Sequence, residues 1–287
     1  MIEHRETTFH GAGGLELYFQ VWQPNGALRG VVAIVHGLGE HSGRYPSLVT
    51  ALTSHGFAVT TFDHRGHGKS PGLRGHVDSW SEYREDVREF LRYTCSHFMH
   101  LPLFLYGHSL GALIVTDYVL FHPDGLTGLI VSGHPLRPTG AAKPHLILLA
   151  RFLSRYRPKF VIPLGLDPSA LSRDPAVVEA YRNDPLVQTK VTARWGTEAL
   201  AAVDRVRMRA NEIQVPILIV HGGADAINSA DGSRELLDVV SSSDKTLHVY
   251  PGGHHEPHND LEKEEAVADI VEWISARTAQ LPAYVDR

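Results

Sequence analysis

The stretch Leu103-Phe104-Leu105-Tyr106-Gly107-His108-Ser109-Leu110-Gly111-Ala112-Leu113-Ile114-Val115 decides how the chain is read. It opens as a short apolar run of the kind a buried strand uses and ends as a helix-compatible run. Between them sits a serine with a glycine two residues away on either side. In that setting a tight turn holds the Ser109 hydroxyl exposed, and the glycines let neighbouring backbone come close. Gly-x-Ser-x-Gly alone recurs by chance. The strand before it and the helix after it make Ser109 the candidate nucleophile rather than an ordinary turn serine.

Further apolar runs resembling buried strands lie on both sides: 7–9, 15–22, 31–35, 58–62, 129–132, 217–220 and 246–250. Helix-like stretches fall between many of them, at 45–55, 79–97, 111–122 and 229–240, with an amphipathic stretch at 261–277. Such alternation implies βαβ units and a mostly parallel sheet. The expected fold is α/β, an eight-stranded sheet flanked by helices. Gly11-Ala12-Gly13-Gly14 joins the first two runs and predicts an antiparallel hairpin at one edge. The alternation breaks between about Leu136 and Val215, a proline-rich stretch with no clear strand. It carries the apolar piece Leu146-Ile147-Leu148-Leu149-Ala150-Arg151-Phe152-Leu153. This implies a core of residues 1–135 and 214–287 and a helical cap insertion, 136–213, over the sheet edge where ligands bind. The apolar piece is expected to cover the core; contact with lipid is the alternative.

A serine hydroxyl needs a base to take its proton, and the base needs a carboxylate to fix its tautomer. On this kind of sheet the expected order is serine, acid, histidine. Asp225 follows the strand 217–220 and the loop His221-Gly222-Gly223-Ala224; His255 follows the strand 247–250 and the loop Pro251-Gly252-Gly253-His254. Both fall just past strand C-termini, the same edge as Ser109. Asp225 could instead cap the next helix. Asp231 is a weaker acid candidate, and His254 and His258 compete with His255. Two backbone N–H groups should stabilise the oxyanion. One is that of Leu110. The other comes from the loop His36-Gly37-Leu38-Gly39-Glu40-His41, with Leu38 as the choice.

His36-Gly37-Leu38-Gly39-Glu40-His41-Ser42-Gly43-Arg44-Tyr45 resembles the oxyanion loop of the monoacylglycerol lipase family (bacterial-type, lysophospholipase-like) of the α/β-hydrolase superfamily. Phe62-Asp63-His64-Arg65-Gly66-His67-Gly68-Lys69-Ser70, the Ser109 turn and Tyr250-Pro251-Gly252-Gly253-His254-His255-Glu256 match that group too. The resemblance spans roughly residues 7 to 275. It implies release of one fatty acyl group from glycerol, with a catalytic triad of Ser109, Asp225 and His255 and an oxyanion hole of Leu38 and Leu110. It also implies that Glu40, Arg44 and His258 brace the site and face the glycerol end. A bare surface pair is the other reading of Glu40 and Arg44. His36 and His108 are expected to pack against the turn, and Asp63, Arg65 and His67 to form a structural loop beside it.

Composition bounds the partners. The chain has 287 residues, 27 basic against 32 acidic, and a formal charge of −5 without single-sign runs, which disfavours nucleic acid. Its 19 histidines show no zinc-like spacing, so no metal and no cofactor are expected. Cys95 is the single cysteine, so no intrachain disulfide forms. The first residues lack a signal peptide's apolar core, and no apolar run reaches transmembrane length. A cytoplasmic protein, peripheral at membranes through transient lid contact, is the expectation; oligomeric state is left open. The expected partner is a lipid ester. Lysophospholipid or short-chain carboxylester hydrolysis is the nearest alternative. A serine aminopeptidase would need an acidic pocket for a free amine. Dehalogenases and epoxide hydrolases place Asp where Ser109 stands, and a non-catalytic binding module would be expected to lack a triad member.

Overall fold

The computed structural model describes residues 1–139 and 144–279. Its strands are β1 (Ile2–His10), β2 (Glu16–Pro24), β3 (Gly30–Val35), β4 (Phe57–Phe62), β5 (Leu103–His108), β6 (Gly128–Ser132), β7 (Val161–Pro163), β8 (Lys190–Thr192), β9 (Ile217–Gly222) and β10 (Lys245–Tyr250). Its helices are α1 (Pro46–Ser54), α2 (Ser81–His97), α3 (Leu110–Val119), α4 (Pro144–Tyr156), α5 (Pro175–Asn183), α6 (Ala193–Arg209), α7 (Ala230–Val239) and α8 (Lys263–Thr278).

The main sheet has eight strands in the order β1-β2-β4-β3-β5-β6-β9-β10. β1 and β2 form the expected hairpin, and β2 runs antiparallel to β4; from β4 to β10 every pairing is parallel. β1 starts at Ile2, earlier than its apolar run at 7–9 indicates, because all but one of its residues are exposed and leave no burial pattern in the sequence.

Successive side chains of a strand point to opposite faces. Val31, Ala33 and Val35 of β3 join one core with residues of α2, α3 and α6, while Val32 and Ile34 join another with residues of α1 and α8. Both faces of β3 are covered, which is why it reads as an unbroken apolar run. β4 lies on one side of β3 and β5 on the other, so the connections after β3 and β5 diverge and leave a crevice at the strand C-termini. The loop after β3 and the Ser109 turn after β5 flank it.

The segment between β6 and β9 departs from the sequence expectation in two respects. It contains strands after all, the short antiparallel pair β7–β8, invisible as a pattern because the strands read Val-Ile-Pro and Lys-Val-Thr. The apolar face of α4 also does not cover a core: Leu148 is 70% exposed, and Leu146, Leu149, Phe152 and Tyr156 are exposed too. α4 lies on α6, where Ser154 Oγ and Thr197 Oγ1 are 2.7 Å apart. α6 in turn packs on α3 and buries Trp195, whose indole N–H donates to Tyr83. Among the described residues, no helix is long and apolar enough to cross a membrane.

Candidate active site

Ser109 connects β5 to α3 with φ 51° and ψ −115°, a conformation a residue with a Cβ rarely adopts. Such strain persists where surroundings over-determine it. Here the surroundings are two glycines. A Cβ on Gly107 would lie 2.5 Å from the Gly111 carbonyl oxygen, and one on Gly111 would lie 2.0 Å from that of Val35. The turn therefore closes only with both hydrogens in place, and the Ser109 N–H is anchored to the Ser132 carbonyl at 2.8 Å. Leu110 is the first residue of α3, so its N–H has no partner within the helix and is free for an anion.

Asp225 ends the turn after β9. Its Oδ1 accepts the N–H groups of Ile227 at 2.8 Å and Asn228 at 3.0 Å, which aims Oδ2 at His255 Nδ1, 2.7 Å away. His221 Nε2 lies 3.1 Å from the same oxygen. Burial alone would raise the Asp225 pKa, but His255, His221 and the Asn228 N–H outweigh it and hold the carboxyl well below the usual range. Burial likewise pushes His255 down, while the charge and hydrogen bond of Asp225 push it up; the net shift is upward. The helix-capping alternative for Asp225 does not hold, since Ser229 caps α7. Asp231 sits in the first turn of α7 and pairs with Arg234. His254 turns to the Ser169 carbonyl. Of the three histidines weighed, His255 carries the bond to Asp225.

Ser109 and His255 line one cavity of about 250 Å³. Leu38, Pro138, Leu164, Leu166, Leu171 and Ile227 make its apolar wall; Glu40, Glu256, Asn228 and Tyr181 make its polar part. Leu164, Leu166, Leu171 and Tyr181 all come from the segment between β6 and β9.

The loop bearing Leu38 is braced from inside. Glu40 Oε1 accepts the Gly37 N–H at 2.6 Å and the Tyr45 hydroxyl at 2.7 Å. Arg44 places Nε 3.4 Å from Glu40 Oε2 and Nη2 at 2.9 and 2.7 Å from the two Glu256 oxygens. Burial disfavours the Arg44 cation, yet Glu256 and Glu40 more than compensate and keep it charged. Burial pushes Glu40 up despite Arg44. Glu40 is 3% exposed and the Arg44 side chain 9%, so the surface-pair reading is corrected: this is a buried ionic cluster. His258 is not part of the cavity wall. Its ring stacks on Tyr45 at 4.9 Å, and its Nδ1 is 3.3 Å from the Tyr106 hydroxyl. Burial pushes it down to about 4, so it is neutral. His108 is held neutral in the same way, its ring 4.8 Å from that of His255. The His36 ring lies 4.1 Å from that of His64 and accepts the His64 N–H at Nε2.

Glu256 was not assigned a role from the sequence. The available signal was chemical: a buried arginine beside one glutamate needs a further acceptor, and Glu256 directly follows His255. His221 was missed because a histidine four residues before the acid carries no distinguishing pattern.

A family model described as serine aminopeptidase, S33, matches residues 26–262. A monoacylglycerol lipase of Mycolicibacterium smegmatis is 36% identical over 94% of this chain and 96% of its own length. A phospholipase of Bacillus subtilis is 30% identical over 82% of this chain and 91% of its own. Among solved structures, the monoacylglycerol lipase of Paleococcus ferrophilus superposes with a TM-score of 0.83 at 37% identity, covering 92% of this chain and all of that one. Sequence, fold and the geometry around Ser109 thus agree that the chain belongs to the serine aminopeptidase S33 family and, within it, to the monoacylglycerol lipases of the α/β-hydrolase superfamily.

Proposed function

We propose that this enzyme, a serine ester hydrolase, releases the fatty acid from monoacylglycerol through an acyl-enzyme on Ser109. The cavity that joins Ser109 to the Asp225-bound His255 carries the proposal: apolar along one wall, polar beside Glu40 and Glu256, as an ester between an acyl chain and glycerol requires. The Ser109 oxygen attacks the ester carbonyl as His255 takes its proton, and the tetrahedral oxyanion is held by the N–H groups of Leu38 and Leu110. His255 returns the proton to the departing glycerol oxygen. Water, deprotonated by His255, then attacks the acyl carbonyl, and the Ser109 oxygen leaves with that proton. Asp225 keeps Nδ1 protonated and stabilises the imidazolium. Residues 136–213 act as a cap over this site, and the exposed apolar face of α4 meets the lipid surface from which the substrate is drawn. The Glu40–Arg44–Glu256 cluster braces the glycerol end.

An aminopeptidase reading is disfavoured although two carboxylates line the cavity. Both lie within ion-pair distance of the Arg44 guanidinium, so a substrate ammonium would have to compete for them with a resident buried cation. A second reading, lysophospholipid hydrolysis, is favoured by the Bacillus subtilis phospholipase, which is similar over most of both chains. Release rates across monoacylglycerols, diacylglycerols, lysophospholipids and short esters separate the two. The first class should turn over fastest, and Ser109→Ala should abolish turnover of every class. A lysophospholipid preference would install the second reading, and substantial turnover by a folded Ser109→Ala protein would remove both.

A further inference from the structure

The Leu38 loop is held from two sides, and only one of the two holds lies within the loop itself. From inside, Glu40 takes the Gly37 N–H. From outside, three contacts come from the end of α5 and the turn after it. The Gln188 N–H donates to the Gly39 carbonyl at 2.8 Å. His41 Nε2 lies 2.7 Å from Asp184 Oδ2. The Arg44 guanidinium sits over the Tyr181 ring at 4.6 Å. Gly39 has φ 77°, and a Cβ there would lie 2.4 Å from the Gln188 carbonyl oxygen, so the two backbones touch directly.

The 184–188 turn is itself stiff: Asp184 Oδ1 accepts the Leu186 N–H at 2.8 Å, and the Asp184 carbonyl accepts the Val187 N–H at 3.2 Å. His41 Nδ1 is also occupied, accepting the Gly43 N–H at 3.1 Å. Both partners of the His41–Asp184 bond are therefore pre-set, and their side chains are 11% and 23% exposed, so water screens the pair only partly. Leu38 stands between Gly37, fixed by Glu40 of the same loop, and Gly39, fixed by the 184–188 turn.

We propose that His41 and Asp184 are positioning residues for the oxyanion hole, the turn after α5 acting as the outer half of the clamp that aims the Leu38 N–H. The inference rests on the reading above in which that N–H receives the oxyanion. Its consequence is that the segment covering the site also sets the rate of the chemical step: displaced from the loop, it leaves a formed triad with a misaimed donor.

The experiment separates this role from mere anchoring of the acyl-binding wall. Asp184→Ala removes the bond from one end. His41→Asn removes it from the other while keeping an acceptor for the Gly43 N–H. Asp184→Asn retains a hydrogen bond. Each full-length protein is assayed on p-nitrophenyl acetate, which has no long acyl chain to seat against the covering segment, and on a long-chain monoacylglycerol, with thermal melting as the control for folding. Ångström-scale misplacement of a catalytic group can cost about a hundredfold. The expectation for Asp184→Ala and His41→Asn is a kcat on the acetate lowered about tenfold or more with KM within about twofold. Asp184→Asn should recover most of that loss, and the double variant should be no worse than the poorer single one. An acetate kcat at the wild-type value in both variants, with only KM for the long-chain substrate raised, overturns the proposal. Ser109→Ala in the same assay tells the two failures apart: if it retains turnover, the serine reading itself falls, and if it is inactive while the clamp variants keep full kcat, only this inference does.

Discussion

The Ser109 turn and helix α4 are both apolar in sequence, and they have opposite fates. Every residue of α3 is buried and the turn before it is locked by backbone contacts, whereas α4 exposes Leu146, Leu148, Leu149 and Phe152. Burial of this kind is worth about 25 cal/mol per Å² of apolar surface removed from water, and α4 forgoes it along one face. What is packed around Ser109 sets geometry; what is left unpacked on α4 is available for contact with something outside the chain. The difference divides the molecule into a rigid part that holds the reacting groups and a part whose stability is not tied to its exposed apolar residues.

Among changes that leave the Ser109 hydroxyl in place, the largest effect expected on the rigid side is that of Asp225→Asn. With the wrong His255 tautomer, kcat should fall about 10⁴-fold, the cost of the equivalent change in serine proteases. A loss under tenfold would mean that His221 or another group can orient His255 unaided. The pH profile sharpens the point. In the proposed mechanism His255 must be neutral to act as base, and Asp225 holds its pKa above the ordinary 6.5. The rising limb of wild-type kcat/KM should therefore be centred above pH 6.5, and Asp225→Asn, which leaves burial unopposed, should move it to lower pH.

Acid stability should report the rigid part as well. Burial pushes His64 and His134 down to about 3 and His67 and His258 to about 4, all in or beside the sheet. A group depressed in the folded state contributes stability fully above its unfolded pKa, here about 6.5, and loses it as pH falls toward the folded value. Each such histidine costs about 1.4 kcal/mol per pH unit across that window. His255, raised in the folded state, has the opposite sign: its contribution is complete below 6.5 and is lost as pH rises through its folded pKa. Melting temperature should fall steeply between pH 6 and 4; a flat profile there would show that these rings are not buried neutral.

Gly111→Ala should destabilise the fold by about 3 kcal/mol or more, because the new methyl meets the Val35 carbonyl and backbone must shift. For a domain of this size that is a melting temperature lower by about 6 °C or more. Wild-type melting would show that the turn tolerates opening. The smallest expected stability change lies on α4. Leu148→Ser with Phe152→Ser should alter stability by no more than about 0.5 kcal/mol, as for other exposed sites. The same variant should raise KM for long-chain substrates several-fold and leave short esters unchanged. Equal effects on both would remove the lipid-contact role of that face.

Much of this was legible in the sequence because strands buried on both faces leave unbroken apolar runs and helices leave a longer period. β3, β5 and β9 announce themselves that way, and Ser109 and Asp225 each follow such a run; His255 follows β10, a partly buried edge strand that reads Lys-Thr-Leu-His-Val-Tyr. β1 was half legible, since its exposed residues carry no pattern, and β7 and β8 were not legible at all, each too short to show a period. The face of α4 was misread as core cover. An apolar stripe records that a helix has something to bury, not whether this chain supplies the partner.

By sequence alone, then, the chain determined its sheet, the sharp turn at Ser109, and the order of acid and base, because these depend on local backbone geometry and on periodicity along the chain. Only the tertiary structure decided which oxygen of Asp225 faces His255, that Arg44 lies buried between Glu40 and Glu256, that His258 stacks on Tyr45, and that Asp184 reaches back to His41. Those facts depend on residues far apart in the chain coming within hydrogen-bond distance, and on burial that strengthens each charge's effect on its neighbours. Neither quantity is carried by any local stretch of sequence.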